Sequence, residues 1–172
     1  GQGAGTVRHP RPGDHRARPL AGVDGLLAGR AAGEQIPVRH PEGLVHGFLV
    51  LRSLDGALLA HGDLIQSSQG NRVTSRLVFR FRDGSLQDET AVFTQSGKFR
   101  LISDHLIQRG PSFPNPMEMS VDAAGGRVTI KRREKDGSVK VAEERMELPD
   151  DLANGLALTL VKNLPSNAAS TA

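Results

Sequence analysis

An aspartate and a histidine that could share a proton lie on two neighbouring predicted strands. Asp88 belongs to the fourth strand and His105 to the fifth, and the expected register places them directly opposite each other. An imidazole oriented by a carboxylate is the base of a nucleophilic triad, and Ser103 or Thr90, one row away, would supply the nucleophile. No G-x-S-x-G or S-x-x-K motif surrounds either hydroxyl. The pattern therefore favours a structural Asp88–His105 pair, with a hydrolase site as the alternative.

Two histidines and a carboxylate share one face of the first predicted hairpin. His46, His61 and Asp63 are residue types that can hold a transition metal with open positions. However, Phe48 intervenes and the histidines fall in non-adjacent rows, whereas metal ligands must converge on one point. The chain has no Cys, which excludes thiolate nucleophiles and Cys-ligated metals, and phosphate-binding glycine motifs are absent. We therefore predict no metal and no cofactor.

Short alternating apolar runs separated by turn residues predict eight strands between residues 36 and 148. Asp-Gly pairs mark several of the turns, because tight hairpin turns need residues that tolerate positive φ. The predicted strands span 44–54, 57–66, 72–82, 86–95, 98–109, 117–123, 127–134 and 138–147. Strands joined in sequence by short turns predict a mainly β fold, a curved antiparallel meander that forms a half-barrel or an open barrel.

Assumed turn lengths convert this pattern into a register. Two-residue turns at 55–56, 83–84 and 96–97 and a four-residue turn at 67–70 place the apolar side chains of the first five strands on one face. Glycines and small polar residues interrupt that face, which fits a curved sheet lining a cavity as well as it fits an ordinary core with satisfied hydroxyls. The predicted ligand-binding residues on it are Gly47, Gly62, Ser75, Phe79, Thr90, Ser103 and His105.

The opposite face of the third to fifth strands is expected to be polar. On it Glu89 would lie directly opposite Asp104, and like charges placed in this way repel each other. Arg76 and Arg80 are diagonal neighbours that would offset the repulsion through exposed ion pairs. The pattern favours a solvated, salt-bridged surface.

Residues 36–164 are predicted to form a single β-rich domain that ends in a helix over 150–164. Leucines recur every four residues in that helix, and their apolar stripe requires a sheet face to cover. Residues 1–35 are rich in Gly, Pro and Arg and are predicted to be disordered or leader-like, and 165–172 form a disordered polar tail.

The distribution of charge argues against a nucleic-acid partner. Of 22 basic and 19 acidic residues, five and three fall within residues 1–35, which leaves 17 and 16 in the remainder. A nucleic-acid-binding domain needs a basic face, often with aromatic platforms, and this chain has no Trp and no Tyr. The longest apolar stretch, 48–51, is far shorter than the roughly 20 residues that a membrane-spanning helix needs.

Four strings of residues resemble a family of bacterial exported proteins that has no established activity. They are Gly-Leu-Val-His-Gly-Phe-Leu-Val-Leu-Arg (43–52), Asp-Glu-Thr-Ala-Val-Phe (88–93), Asp-His-Leu-Ile-Gln-Arg-Gly-Pro-Ser-Phe-Pro (104–114) and Leu-Pro-Asp-Asp-Leu-Ala-Asn-Gly-Leu (148–156). The resemblance implies a periplasmic or extracellular location, an apolar leader in place of the Gly/Arg-rich stretch, and a further C-terminal half. At the level of fold, the sheet is similar to the half-barrels of periplasmic lipoprotein carriers and lipocalin-like binders.

Together these features predict a non-enzymatic exported module that binds an apolar or amphipathic small molecule in a concave sheet. An alternative is a structural or interaction domain, completed by a protein partner or by a missing C-terminal half. That contact would use the helix 150–164 or an open sheet edge. The second alternative is a hydrolase that uses Asp88 and His105.

Overall fold

The structure is a computed structural model that describes residues 35–134 and 136–165. The predictions of a leader-like segment and of a polar tail fall on residues 1–34 and 166–172, which lie outside the described residues.

The described residues form one antiparallel sheet of eight strands in the order in which they occur along the chain. The sheet is not closed, because β1 and β8 lie at its two edges. The strands are β1 (Val45–Arg52), β2 (Leu58–Gln69), β3 (Arg72–Phe81), β4 (Leu86–Ser96), β5 (Lys98–Arg109), β6 (Met117–Asp122), β7 (Arg127–Arg133) and β8 (Val139–Arg145). This confirms the predicted mainly β, antiparallel meander.

The single helix of the described part, α1 (Ala157–Asn163), is shorter than predicted. Residues 149–156 form turns in which Leu152 N–H donates to the Pro149 carbonyl and Leu156 N–H to the Ala153 carbonyl. Gly155 adopts a φ of +68°, which is incompatible with a right-handed helix. The glycine therefore delays the start of the helix by about two turns relative to the sequence prediction, which began at 150.

The register of β3 and β4 differs by one residue from the predicted one. Phe79 lies opposite Gln87 and not opposite Asp88. The reason is the turn, because Phe81 and Ser85 close a three-residue loop in which Phe81 N–H donates to the Ser85 carbonyl. Gly84 takes the left-handed conformation, with φ +84°, that ends a loop of this kind. A slip of one residue exchanges the two faces of a strand, so the predicted faces of β4 are wrong.

The first two hairpins, β1–β2 and β2–β3, place their side chains on the predicted faces. Val45 pairs with Gln66 as predicted, because a bulge between Leu51 and Arg52 absorbs the extra turn residue. β2 ends three residues later than predicted and pairs Gln69 with Arg72. Leu64 thus lies opposite Leu77 instead of Val73, a register shift of four residues; because four is even, the faces are unchanged.

The core lies on one face of the sheet, which we call the inner face. Its buried side chains come from β3 to β7 and from the segment before α1, where Leu156 is 1% exposed. The apolar members are Val73, Ala91, Phe93, Phe99, Leu101, Leu106, Met119, Val121, Val128, Ile130 and Leu156. The C-terminal segment thus covers the apolar face, as predicted, and the opposite side of the sheet is called the outer face below.

The segment before β1 is tied to the end of α1. The side-chain oxygen of Asn163 accepts hydrogen bonds from the backbone N–H groups of Arg39 (2.8 Å) and His40 (2.7 Å). Lys162 Nζ lies 2.8 Å from the buried carboxylate of Glu42, and Val38 N–H donates to the Gly97 carbonyl. These contacts hold the segment across the end of the β4–β5 hairpin.

Candidate functional site

The outer face carries a groove across β4, β5, β6 and β7, which we call the outer groove. It has a volume of about 470 Å³. Its side chains form two adjacent rows of four, one residue from each strand. The first row is Thr90, His105, Ser120 and Thr129, and the second is Val92, Ser103, Asp122 and Arg127.

Three hydroxyls and an imidazole make the first row a continuous line of hydrogen-bonding groups. His105 Nε2 lies 3.2 Å from Glu118 Oε1, and Lys131 Nζ lies 3.2 Å from the same oxygen. In the second row, the closest approach between Arg127 and Asp122 is 3.9 Å. Glu118 therefore orients His105 from the neighbouring strand, while the Arg127 guanidinium remains able to contact a bound anion.

The predicted opposition of Asp88 and His105 is wrong. Asp88 lies opposite Ile107, and His105 lies opposite Thr90. The two side chains share the outer face, but Asp88 accepts two hydrogen bonds from Arg76, at 3.0 Å and 2.6 Å. These bonds lower the pKa of Asp88 and keep it an ion-paired carboxylate. The structure thus pairs Asp88 with Arg76 and His105 with Glu118.

The seven predicted ligand-binding residues divide between the two faces. Thr90, Ser103 and His105 line the outer groove. By the register, the other four, Gly47, Gly62, Ser75 and Phe79, lie on the inner face. The prediction of one shared cavity is therefore wrong, and its cause is the one-residue slip between β3 and β4 together with a bulge at Ile102 of β5.

On the inner face, the protein's own side chains pack against two of these residues, Gly62 and Ser75. A Cβ atom at Gly62 would lie 2.6 Å from Cε1 of Phe79, so the glycine makes room for the aromatic ring. Ser75 is buried, and Gln66 Nε2 donates to its Oγ at 3.4 Å and to Thr159 Oγ1 of α1 at 3.3 Å. These residues act in packing and in helix docking.

A buried carboxyl group, that of Asp104, lies on the inner face beside the half-buried Glu89 and beneath the turn that precedes α1. Asp104 is 2% exposed, and neither of its carboxylate oxygens has a hydrogen-bond partner among the described residues. Burial, with a smaller contribution from the charge of Glu89, raises the pKa of Asp104 to about 7. Burial also raises the pKa of Glu89. A Cβ at Gly155 would lie 3.1 Å from Asp104 Oδ1, so the turn packs directly over Asp104.

Sequence reasoning missed this pair because it placed Glu89 and Asp104 opposite each other on the solvated face. In the structure Asp104 lies opposite Ala91 and Glu89 opposite Leu106, so the two carboxyl groups are diagonal neighbours. One signal was available. Leu101 and Leu106 are apolar residues of one strand at an odd spacing, and two buried residues at such a spacing require a bulge between them.

The first hairpin carries the predicted histidines with the predicted register, His46 opposite Ile65 and His61 opposite Val50. His46 Nε2 lies 3.7 Å from Asp63 Oδ1, while the other oxygen of Asp63 contacts Arg80 at 2.7 Å. Within residues 35–134 and 136–165, His and acidic side chains form no group of three that could hold a metal ion.

No family model, no curated protein and no solved structure matches this chain. In the part of the chain that the structure describes, no helix is long and apolar enough to cross a membrane.

Proposed function

We propose that this protein is an exported, non-enzymatic binding module that holds a small amphipathic molecule in the outer groove. The observation that carries the proposal is the pair of four-residue rows across β4 to β7. A volume of about 470 Å³ is within the usual range for small-molecule sites, which is roughly 300–1,000 Å³. Export is supported by the family resemblance and by a leader-like order in residues 8–33, where basic residues precede an apolar stretch, interrupted by Asp24, and then small residues.

The side chains of the groove favour a ligand with a polar or anionic head and an apolar body. Thr90, Ser120 and Thr129 supply hydroxyls that donate and accept hydrogen bonds. Arg127 offers a guanidinium that fits a carboxylate, and Val92 with the threonine methyl groups offers apolar contact. A ligand that is apolar throughout would leave these polar groups without partners, which costs free energy.

Native mass spectrometry of the purified full chain tests this proposal directly. We expect a co-purifying small molecule, or binding of added decanoate as a model amphipathic carboxylate. Ser120→Phe fills the centre of the first row and should weaken decanoate binding at least about tenfold, since a blocked site loses its contacts. Ile65→Phe is the matched control, because Ile65 is exposed on the same face of β2 and lies outside the groove.

The contrary result is equally clear. The proposal fails if no molecule co-purifies and decanoate does not bind, or if the two variants weaken binding to the same extent.

A second candidate function is that of an interaction domain, which the sequence analysis gave as an alternative. The observation for it is the set of exposed apolar side chains on the edge strand β1, among them Phe48 and Val50.

A further inference from the structure

The edge strand β1 lacks most of the features that normally protect a sheet edge, because the bulge in its pairing with β2 and the charge of Arg52 lie only at its C-terminal end. Among the described residues it pairs only with β2, so its other side presents unpaired backbone N–H and C=O groups. Its sequence, Val-His-Gly-Phe-Leu-Val-Leu-Arg, contains no proline, lysine or acidic residue. Natural edge strands are usually shielded by such residues, because an open edge is a template for pairing with another chain.

Exposed apolar side chains of β1 also favour pairing of this edge with another chain. Phe48 is 79% exposed and Val50 54% exposed on the outer face, and Leu44, just before the strand, is 87% exposed. The Phe48 ring lies against His46, with ring centroids 4.6 Å apart. The result is a band of apolar surface directly beside the open edge.

The opposite edge of the sheet has the protection that β1 lacks. The seven residues of β8 include two basic and two acidic side chains, Lys140, Glu143, Glu144 and Arg145. Charged side chains of this kind oppose edge-to-edge pairing. The asymmetry singles out β1 as the edge that is suited to a partner.

We propose that β1 pairs antiparallel with β1 of a second copy of this chain, about a two-fold axis normal to the sheet at Phe48. This pairing names the partner in the second candidate function, that of an interaction domain, and it does not depend on ligand binding in the outer groove. A two-fold axis brings the uncharged middle of β1, residues 47–51, close to the same residues of the second copy, so no like charges meet at its centre. Closed two-fold contacts of this type are the commonest way in which soluble chains associate.

The two basic residues of β1, His46 and Arg52, favour an axis at Phe48 over one at Leu49. With the axis at Phe48, the two Phe48 rings face each other, Val50 faces His46 of the partner subunit, and Arg52 faces Leu44 of the partner subunit. Moving the axis to Leu49 would place Arg52 against His46 of the partner subunit, which brings two basic groups together. Arg52 is also turned toward its own hairpin, where its Nη1 donates to the Gly56 carbonyl at 2.8 Å.

A contact between two β1 strands buries only a small area. A strand of eight residues extends over about 26 Å, at roughly 3.3 Å per residue, and contacts of limited area give weak, reversible complexes. We therefore expect dimers to form at roughly tens to hundreds of micromolar, which corresponds to a modest association free energy.

Sedimentation equilibrium of the full chain, from about 10 to 500 µM, measures this association. Phe48→Lys should weaken it at least about tenfold, because lysine protects an edge. Val141→Lys is the matched control, since Val141 is 61% exposed and lies on the outer face of the other edge strand. It should leave the association unchanged.

Cysteine cross-linking tests the register. The chain has no Cys, so Phe48→Cys introduces a single thiol. Directly opposed residues in antiparallel strands have Cα atoms about 4.5–5.5 Å apart, within the range that a disulfide spans. Mild oxidation should give a covalent dimer with Phe48→Cys and none with Val141→Cys, and this readout decides the matter if Phe48→Lys fails to fold.

Three results would overturn the inference: a wild-type chain that is monomeric at the highest concentration, equal losses from both lysine variants, or no cross-link at Phe48→Cys. Equal losses would indicate head-to-tail pairing of β1 with β8. A monomeric chain that still binds decanoate would remove the second copy and leave the groove proposal intact.

Discussion

Replacement of Asp104 by asparagine should make the protein more stable at neutral and alkaline pH. The carboxyl group is 2% exposed, has no hydrogen-bond partner among the described residues, and has its pKa raised from 3.8 to about 7. The folded protein therefore retains the proton to a higher pH than the unfolded chain does. Well below pH 4 the group is neutral in both states. As the pH rises from about 4 to about 7, the unfolded chain loses its proton first, and the stability of the fold falls.

The size of the effect follows from the shift in pKa. A rise from 3.8 to about 7 corresponds to roughly 4 kcal/mol, at about 1.36 kcal/mol per pH unit. Asparagine has nearly the same shape and carries no charge, so Asp104→Asn removes this loss. Its buried amide is also unpartnered, as the neutral carboxyl is at low pH, so we expect variant and wild type to be about equally stable at pH 4.

Urea unfolding at pH 4, 6 and 8 measures the difference in the free energy of unfolding between the two proteins. Because both proteins contain all the other carboxyl groups, the difference between them reports on Asp104 alone. This matters because other carboxyl groups have the opposite pH dependence: hydrogen bonds from Arg76, for example, lower the pKa of Asp88. Asp150→Asn, an exposed carboxylate in the segment before α1, is the control and should show no such gain. The reasoning is refuted if the gain of Asp104→Asn at pH 8 is no larger than at pH 4, or if the control gains as much.

Three further substitutions test the packing of the inner face by urea unfolding. Gly155→Ala should lower the free energy of unfolding by more than about 1 kcal/mol, because the residue has positive φ and the new Cβ would lie 2.6 Å from the Cβ of Ala91. Gly43→Ala is the control and should change the free energy of unfolding little, because the space around Gly43 is open. Gly62→Ala should cost about 1–3 kcal/mol through its clash with Phe79, and a second change of that ring to leucine should recover part of the loss. Asn163→Ala should cost about 1–3 kcal/mol, because two N–H groups lose their acceptor, and hydrogen exchange should quicken at those amides first; unchanged exchange would contradict this.

The strands themselves were predictable from the sequence because local chemistry determines them. Alternating apolar residues and Asp-Gly turns set all eight strands in order, and the first hairpin even has the predicted pairing of Val45 with Gln66. The C-terminal leucines also indicated a covering segment, although Gly155 shortens the helix. These features depend on residues that are close together along the chain.

The faces were less predictable because they depend on single residues at turns and bulges. The sequence Asp83-Gly84 is compatible with a two-residue or a three-residue loop, and only the hydrogen bond from Phe81 to Ser85 distinguishes them. The bulge at Ile102 of β5 allows Leu101 and Leu106 to be buried on the same side of the sheet. Together these two irregularities moved Asp104 from the solvated side into the core, and the candidate site changed with it.

The bond from Asn163 to Arg39 also has a consequence for the order of folding. Every strand pairs with its neighbour in sequence, so the sheet grows from short-range contacts, which form quickly. The bond to Arg39 instead joins residues 124 positions apart and must wait until the sheet exists, because closing so long a loop early would be entropically unfavourable. The same bond brings both ends of the folded region side by side. A circular permutant that joins these ends by a short peptide and opens at the exposed Asp55–Gly56 turn should keep the same architecture.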